Sequence, residues 1–209
     1  EIRAATDALR AEQLVLGPWT LRFEDAVAQH ARSTIGIATN SAQSAMHITL
    51  EAIGIQPGDE VVTPAFSFPS TAATLLRMGA IPVFADCDVR SLNMNANDVS
   101  QKITPSTKAI IATHTFGNPS GIDAIAKVAQ EQEIPLIEDA SQAIGSKLHQ
   151  RQVGTFGRVA IFAFHSSTQV TSVEGGLITT DDDALAQQCR LRRNHGFIND
   201  PSLSSDELH

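Results

Sequence analysis

The sequence predicts an α/β fold: three layers, αβα, around a seven-stranded and mostly parallel sheet. Short apolar runs rich in Val and Ile recur along the chain, and stretches of helical periodicity separate them. This is the pattern of parallel strands buried on both faces and crossed over by helices. The runs are Ile35 to Ala38, Glu60 to Thr63, Pro82 to Ala85, Ala109 to Thr113, Leu136 to Glu138, Val159 to Phe164 and Leu177 to Thr180. Helices are expected near 42–53, 69–78, 96–102, 121–132 and 183–193, with Gly54 and Gly79 placed to close the first two in the left-handed conformation. The first has Ser41 as N-cap and then Ala42, Ala45, Met46, Thr49, Leu50 and Ile53 along one buried face. Only a dozen residues without a clear helix join the last two strands, so one of them is expected to run antiparallel.

Composition sets the outer bounds. With 209 residues, 42% hydrophobic and 18% charged, the chain has enough apolar material for one domain with a real core. Fifteen Lys and Arg against 23 Asp and Glu leave a net charge of −8 and no basic tract, which argues against nucleic acid or an anionic membrane as partner. Cys87 and Cys189 stand far apart with no C-x-x-C, so no disulfide or zinc framework is expected and a reducing cytoplasm is the default compartment. His30, His47, His114, His149, His195 and His209 show no metal-ligand spacing, and His47 reads as a packed or capping imidazole. No leader sequence or apolar span is seen. Leu14, Val15, Leu16, Trp19 and Leu21 form an apolar segment near the amino terminus, which either folds back on the core or is covered by a second copy or a related chain.

The chemistry collects at strand ends. The second strand runs into Thr63-Pro64-Ala65-Phe66-Ser67-Phe68 and the fourth into His114-Thr115-Phe116-Gly117-Asn118-Pro119. The fifth runs into Ile137-Glu138-Asp139-Ala140-Ser141-Gln142, and the sixth into Phe162-Ala163-Phe164-His165, followed by Glu174-Gly175-Gly176. In this order, with Gly58-Asp59-Glu60-Val61-Val62 between, the chain resembles the DegT/DnrJ/EryC1/StrS family of sugar aminotransferases. Within that family it looks closest to the enzymes that form UDP-4-amino-4-deoxy-L-arabinose. The resemblance covers residues 1 to about 197 and stops where the family's small carboxyl-terminal domain would begin, so residues 1–209 read as the large domain alone.

The resemblance implies the large domain of a fold-type-I pyridoxal-phosphate transferase, acting on a nucleotide-linked keto sugar as a homodimer or with a related chain. It implies pyridoxal phosphate or pyridoxamine phosphate as cofactor. Such a cofactor is an electron sink and needs its ring nitrogen protonated beside a carboxylate, the position of Asp139, which otherwise reads as a cap or salt-bridge partner. Phe68 matches the aromatic plate that stacks on the ring, against a plain core phenylalanine. Gln142 matches the group that touches the ring hydroxyl, against a surface amide. The helix start Ser41-Ala42-Gln43 matches the phosphate cup.

Three positions depart from the family pattern. Gln43 replaces a small hydroxyl residue, and Ala163 replaces the serine of Phe-Ser-Phe-His. The third departure removes the lysine that bonds the cofactor: counting forward from His165 and back from Glu174 reaches Thr168, with no gap required. An alkyl hydroxyl forms no imine and is too weakly acidic to act as a general base near neutral pH without a neighbouring base. Lys102, Lys108, Lys127 and Lys147, the only lysines, all read as solvated surface residues. The expectation is a family member that is catalytically impaired or serves as a partner subunit. Two alternatives remain: an active transferase whose site is completed elsewhere, and a dehydratase-like enzyme using pyridoxamine phosphate. His165 supports the second only weakly, because ordinary aminotransferases of the family tend to have a histidine there too.

Overall fold

The computed structural model describes residues 1–197. Two helices open the chain: α1 (Ile2–Leu9), none of whose side chains is buried, and α2 (Pro18–Ala31), which starts on a proline at its first turn. Then come β1 (Ile35–Thr39), α3 (Ala42–Ile53), β2 (Glu60–Pro64), α4 (Ser70–Arg77), β3 (Ile81–Ala85), α5 (Ala96–Lys102) and β4 (Thr107–Thr113). A single 3-10 turn (Thr115–Gly117) leads to α6 (Ile122–Glu131) and β5 (Leu136–Asp139). The small hairpin β6 (Lys147–Leu148) and β7 (Arg151–Gln152) is followed by β8 (Val159–Ala163), β9 (Gly176–Thr180) and α7 (Asp183–Arg193).

The main sheet has seven strands in the order β1-β9-β8-β5-β4-β2-β3. All seven strands expected from the sequence are present. β9 is antiparallel to both neighbours, and the other pairings are parallel. The short β8–β9 connection explains this, since a dozen residues cannot hold a crossover helix. All five expected helices also form, with Ser41 accepting the Ser44 N–H at 3.1 Å as N-cap of α3 and Gly54 closing it at φ 96°. The sequence left the first 31 residues without assigned elements. α2 escapes periodicity because the face it buries is mixed, Glu24, Val27, Ala28 and Ala31.

Side chains on consecutive strand residues point to opposite faces, and this separates the core into layers. Val61, Ile111, Ile161 and Ile178 pack under Met46 and Leu50 of α3, Leu75 of α4 and Leu185 of α7. Their neighbours Val62 and Ile110 pack with Val99 of α5 and Ile125 of α6, while Phe162 and Leu177 pack with Val27 of α2. Every strand residue named is almost wholly buried, which is why the strands read as continuous apolar runs.

The apolar segment at the amino terminus folds back only in part: Leu14, Val15 and Leu21 are more than half exposed, whereas Leu16 and Trp19 are partly buried. His47 is a second correction, because its ring lies half exposed on α3 beside Glu51, 3.3 Å away, rather than packed. Lys108 lies within β4, though its side chain is exposed as expected. His209 lies outside the described residues. Among the described residues no helix is long and apolar enough to cross a membrane, and no cluster of His, Cys, Asp and Glu suits a metal ion.

Candidate active site

The carboxyl ends of β1, β2, β4, β5 and β8 and the start of β9 open on one edge of the sheet, where ligands of open α/β folds gather. There they enclose a cavity of about 490 Å³. Ser41, Ala42, Gln43, Phe68, Asp139, Gln142, Ala163, His165 and Thr168, all nine site residues singled out in the sequence, line it. Six separate chain segments thus meet, none of them adjacent in sequence except through the fold.

Asp139 ends β5. It is 9% exposed, and its Oδ1 accepts the backbone N–H of Ser141 at 3.2 Å. Its neighbour Glu138 necessarily points to the opposite face, where it is completely buried. Glu138 accepts backbone N–H groups from Gly154, Phe156 and Gly157 at 2.9, 2.6 and 2.7 Å, and its Oε2 lies 2.8 Å from His114 Nε2. A buried carboxylate so fully bonded fixes the end of β5 against β4 and the β7–β8 loop. It thereby holds Asp139 at the cavity.

Across the cavity lies the start of α3. The N–H groups of Ala42 and Gln43, first in the helix, have no carbonyl one turn back to pair with. Ser41 spends its oxygen on the cap, bonding the Ser44 N–H and lying 3.0 Å from the Ser44 hydroxyl. β9 starts directly against this turn: a Cβ on Gly176 would stand 2.3 Å from the Ser41 carbonyl carbon. That contact is the physical need for the last glycine of Glu-Gly-Gly. Ala163, at the end of β8, brings only a methyl group to the cavity lining.

Thr168 sits on the β8–β9 loop with its Oγ1 2.7 Å from the His165 carbonyl and 2.8 Å from that of Val170. Its single hydroxyl proton is directed to main chain. The loop is further tied by Gln169, whose Nε2 donates to the Gln142 carbonyl at 2.6 Å. All four lysines are exposed, and none lines the cavity. His165 Nδ1 accepts the Ser167 N–H at 3.3 Å and lies 2.9 Å from the Ser167 hydroxyl, while its Nε2 stands 3.4 Å from Glu174 Oε1.

Phe66, Phe116, Thr113 and Glu174 also line the cavity, and sequence reasoning gave them no role. Phe66 and Phe116 meet edge to face at 6.2 Å at its mouth. Phe116 reaches that place through a left-handed φ of 54°, held by its N–H donating to Gln142 Oε1 at 3.0 Å. Gln142 is therefore engaged with the main chain rather than a free surface amide. Among the described residues Thr113 Oγ1, which is buried, has no hydrogen-bond partner. Position within or directly beside the quoted strand-end motifs was the available signal for all four.

These residues fit a phosphorylated pyridine cofactor in three respects: a carboxylate for the ring nitrogen, an exposed phenylalanine for its face, and free N–H groups at a helix start for the phosphate. They lack the amine that would bond it.

Comparison with known proteins agrees with the geometry. The chain is 38% identical over 196 residues to the pleiotropic regulatory protein of Geobacillus stearothermophilus, covering 93% of this chain and 53% of the relative. DesI, solved with its TDP-sugar product, superposes with a TM-score of 0.86 at 33% identity, covering 95% of this chain and 50% of DesI. An aminotransferase from Psychrobacter cryohalolentis superposes with a TM-score of 0.90 at 30% identity, over 95% of this chain and 51% of that one. The chain spans about half the length of the curated relatives it matches. Residues 1–206 match the model of the DegT/DnrJ/EryC1/StrS aminotransferase family, and the chain belongs to that family.

Proposed function

We propose that this chain is the cofactor-carrying large domain of a nucleotide-sugar aminotransferase-type protein that holds its cofactor without a covalent bond and does not transfer amino groups by itself. One observation carries the reading: Thr168, where motif spacing would put the bonding lysine, has its hydroxyl tied to main chain, and no lysine lines the cavity. Pyridoxal or pyridoxamine phosphate, when bound, supplies the electron sink. In this proposal Asp139 keeps the ring nitrogen protonated, Phe68 covers the ring face, and the N–H groups of Ala42 and Gln43 bind the phosphate. Gln142 borders the ring hydroxyl, and His165 faces the substrate side. Gln43 and Ala163 weaken the phosphate cup in the same direction as the loss of the amine. The substrate class is a nucleotide-linked keto sugar, in keeping with the TDP-sugar product bound by DesI. A second copy or a related chain in the cytoplasm completes the site. A relative whose name records a regulatory role accords with a non-catalytic subunit.

The test is a spectral titration with pyridoxal phosphate, followed by addition of glutamate and a nucleotide-linked 4-keto sugar. Saturable binding with no amino-sugar product is expected. Product above the protein-free control would overturn the loss of catalysis, and absence of saturable binding would overturn the cofactor assignment.

A further inference from the structure

Resting on that cofactor reading, we propose that Glu24 and Arg193 are positioning residues for the phosphate end of the cavity and act on it through the open edge of β1. Neither lines the cavity. Glu24 stands within α2 and Arg193 at the end of α7, and both side chains are largely buried. β1 is an edge strand, so the groups it turns away from β9 have no strand to pair with. Backbone groups left unmatched there would cost free energy and leave the strand end free to shift. At Ala38 the pair fills that need. Glu24 Oε1 accepts the Ala38 N–H at 2.8 Å, and Arg193 Nη1 donates both to the Ala38 carbonyl at 3.2 Å and to Glu24 Oε1. Carboxylate and guanidinium together take the place of a neighbouring strand at this one residue.

From Ala38 the constraint runs directly into the turn that opens α3. Thr39 donates its hydroxyl to the Ser41 carbonyl at 2.9 Å, and Ser41 accepts the Ser44 N–H as the helix cap. The N–H groups of Ala42 and Gln43, assigned to the phosphate, follow at once. Two close backbone approaches stiffen the link. A Cβ on Gly36 would stand 2.4 Å from the Glu24 carbonyl oxygen, so α2 is seated directly on β1, and Gly176 of β9 meets Ser41 as closely. Arg193 also lines a second cavity with Asn40, Gln43 and Ser44, and Gln43 is common to both cavities. Charge-assisted hydrogen bonds to a phosphate require donors at about 2.7–2.9 Å, so a strand end displaced by about 1 Å would forfeit much of their strength.

Isothermal titration of the 209-residue chain with pyridoxamine 5′-phosphate, and with unphosphorylated pyridoxamine by displacement, tests the proposal. The ligands share the ring, so the ratio of their affinities isolates the phosphate contacts, which a general loosening of the fold would not change selectively. Removing both members of the pair avoids stranding one buried charge, and the main variant is therefore Glu24→Gln combined with Arg193→Met. It is expected to lower the preference for the phosphorylated ligand about tenfold, with pyridoxamine affinity kept within about twofold. Glu24→Gln alone keeps an acceptor for the Ala38 N–H and for Arg193, and is expected to hold the preference within about threefold of the parent. Should the double variant not fold, Arg193→Lys carries the same test: a shorter cation still faces Glu24 but cannot also bridge to the Ala38 carbonyl, and the preference is expected to fall. An unchanged ratio, whether both affinities hold or fall together, would overturn the positioning role and leave the cofactor pocket standing. Absence of binding by the parent, or of any preference for the phosphorylated ligand, would overturn the cofactor reading, and this inference with it.

Discussion

Threonine and lysine differ at position 168 in the one property the family chemistry uses, a nitrogen lone pair able to form an imine. On the proposed reading Thr168 holds the lysine position, because His165 and Glu174 bracket it with no gap required. The role of Phe116 was not legible, because its left-handed backbone has no signature in a Thr-Phe-Gly sequence. On the cofactor reading, Asp139→Asn keeps the acceptor for Ser141 N–H and loses the charge. Titration calorimetry should therefore show cofactor affinity falling about ten- to a hundredfold with little change in melting temperature. Val173 is strained: a β-branched residue at φ 73° on an exposed loop beside the cavity. Val173→Gly is expected to raise stability by about 0.5–1 kcal/mol in urea unfolding, relief of strain outweighing the extra freedom glycine gains when unfolded. A lowered urea midpoint would contradict this.

Elements were read more securely than loops. Strands β2, β4, β5, β8 and β9 announce themselves because both faces are buried, the edge strands β1 and β3 read as apolar runs although only partly covered, and α3 is marked by Ser41 at its start and Gly54 at its end. α2 did not, since a glutamate occupies its buried face. That residue, Glu24, accepts the Ala38 N–H at 2.8 Å and pairs with Arg193 of α7, a partnership across 169 residues that no local pattern reveals. The start of α7 offers a pH test. Asp182 caps it by accepting the Leu185 N–H at 2.9 Å and pairs with Arg158 at 2.8 Å. The Leu185 N–H first, and then Arg158, hold its carboxyl below the ordinary value of 3.8. A lowered folded-state pKa gives stability that is full above the unfolded value and lost as pH falls through the folded one. Asp182→Ala should therefore cost about 1 kcal/mol at neutral pH, with parent and variant converging as the pH drops below about 4. A gap in urea midpoint that persisted at pH 2 would contradict the assignment.

At the scale of the whole molecule, the fold class and the place of the site followed from the order of strand-end motifs, because an α/β sheet brings its carboxyl ends together whatever lies between. How the surface is completed did not follow. Leu14, Val15 and Leu21 on one side, and Phe66, Phe68 and Phe116 around the cavity, stay exposed in the single chain. On the proposed reading a second copy or a related chain covers them. On the proposed reading this family scaffold keeps a cofactor pocket without the covalent link. The deciding measurement treats the chain with one equivalent of pyridoxal phosphate, reduces with borohydride and maps the labelled peptides by mass spectrometry, beside Thr168→Lys. No stoichiometric label is expected on any peptide of the parent chain, and a near-stoichiometric label is expected at position 168 in the variant. Stoichiometric labelling of a single native lysine in the parent would contradict it.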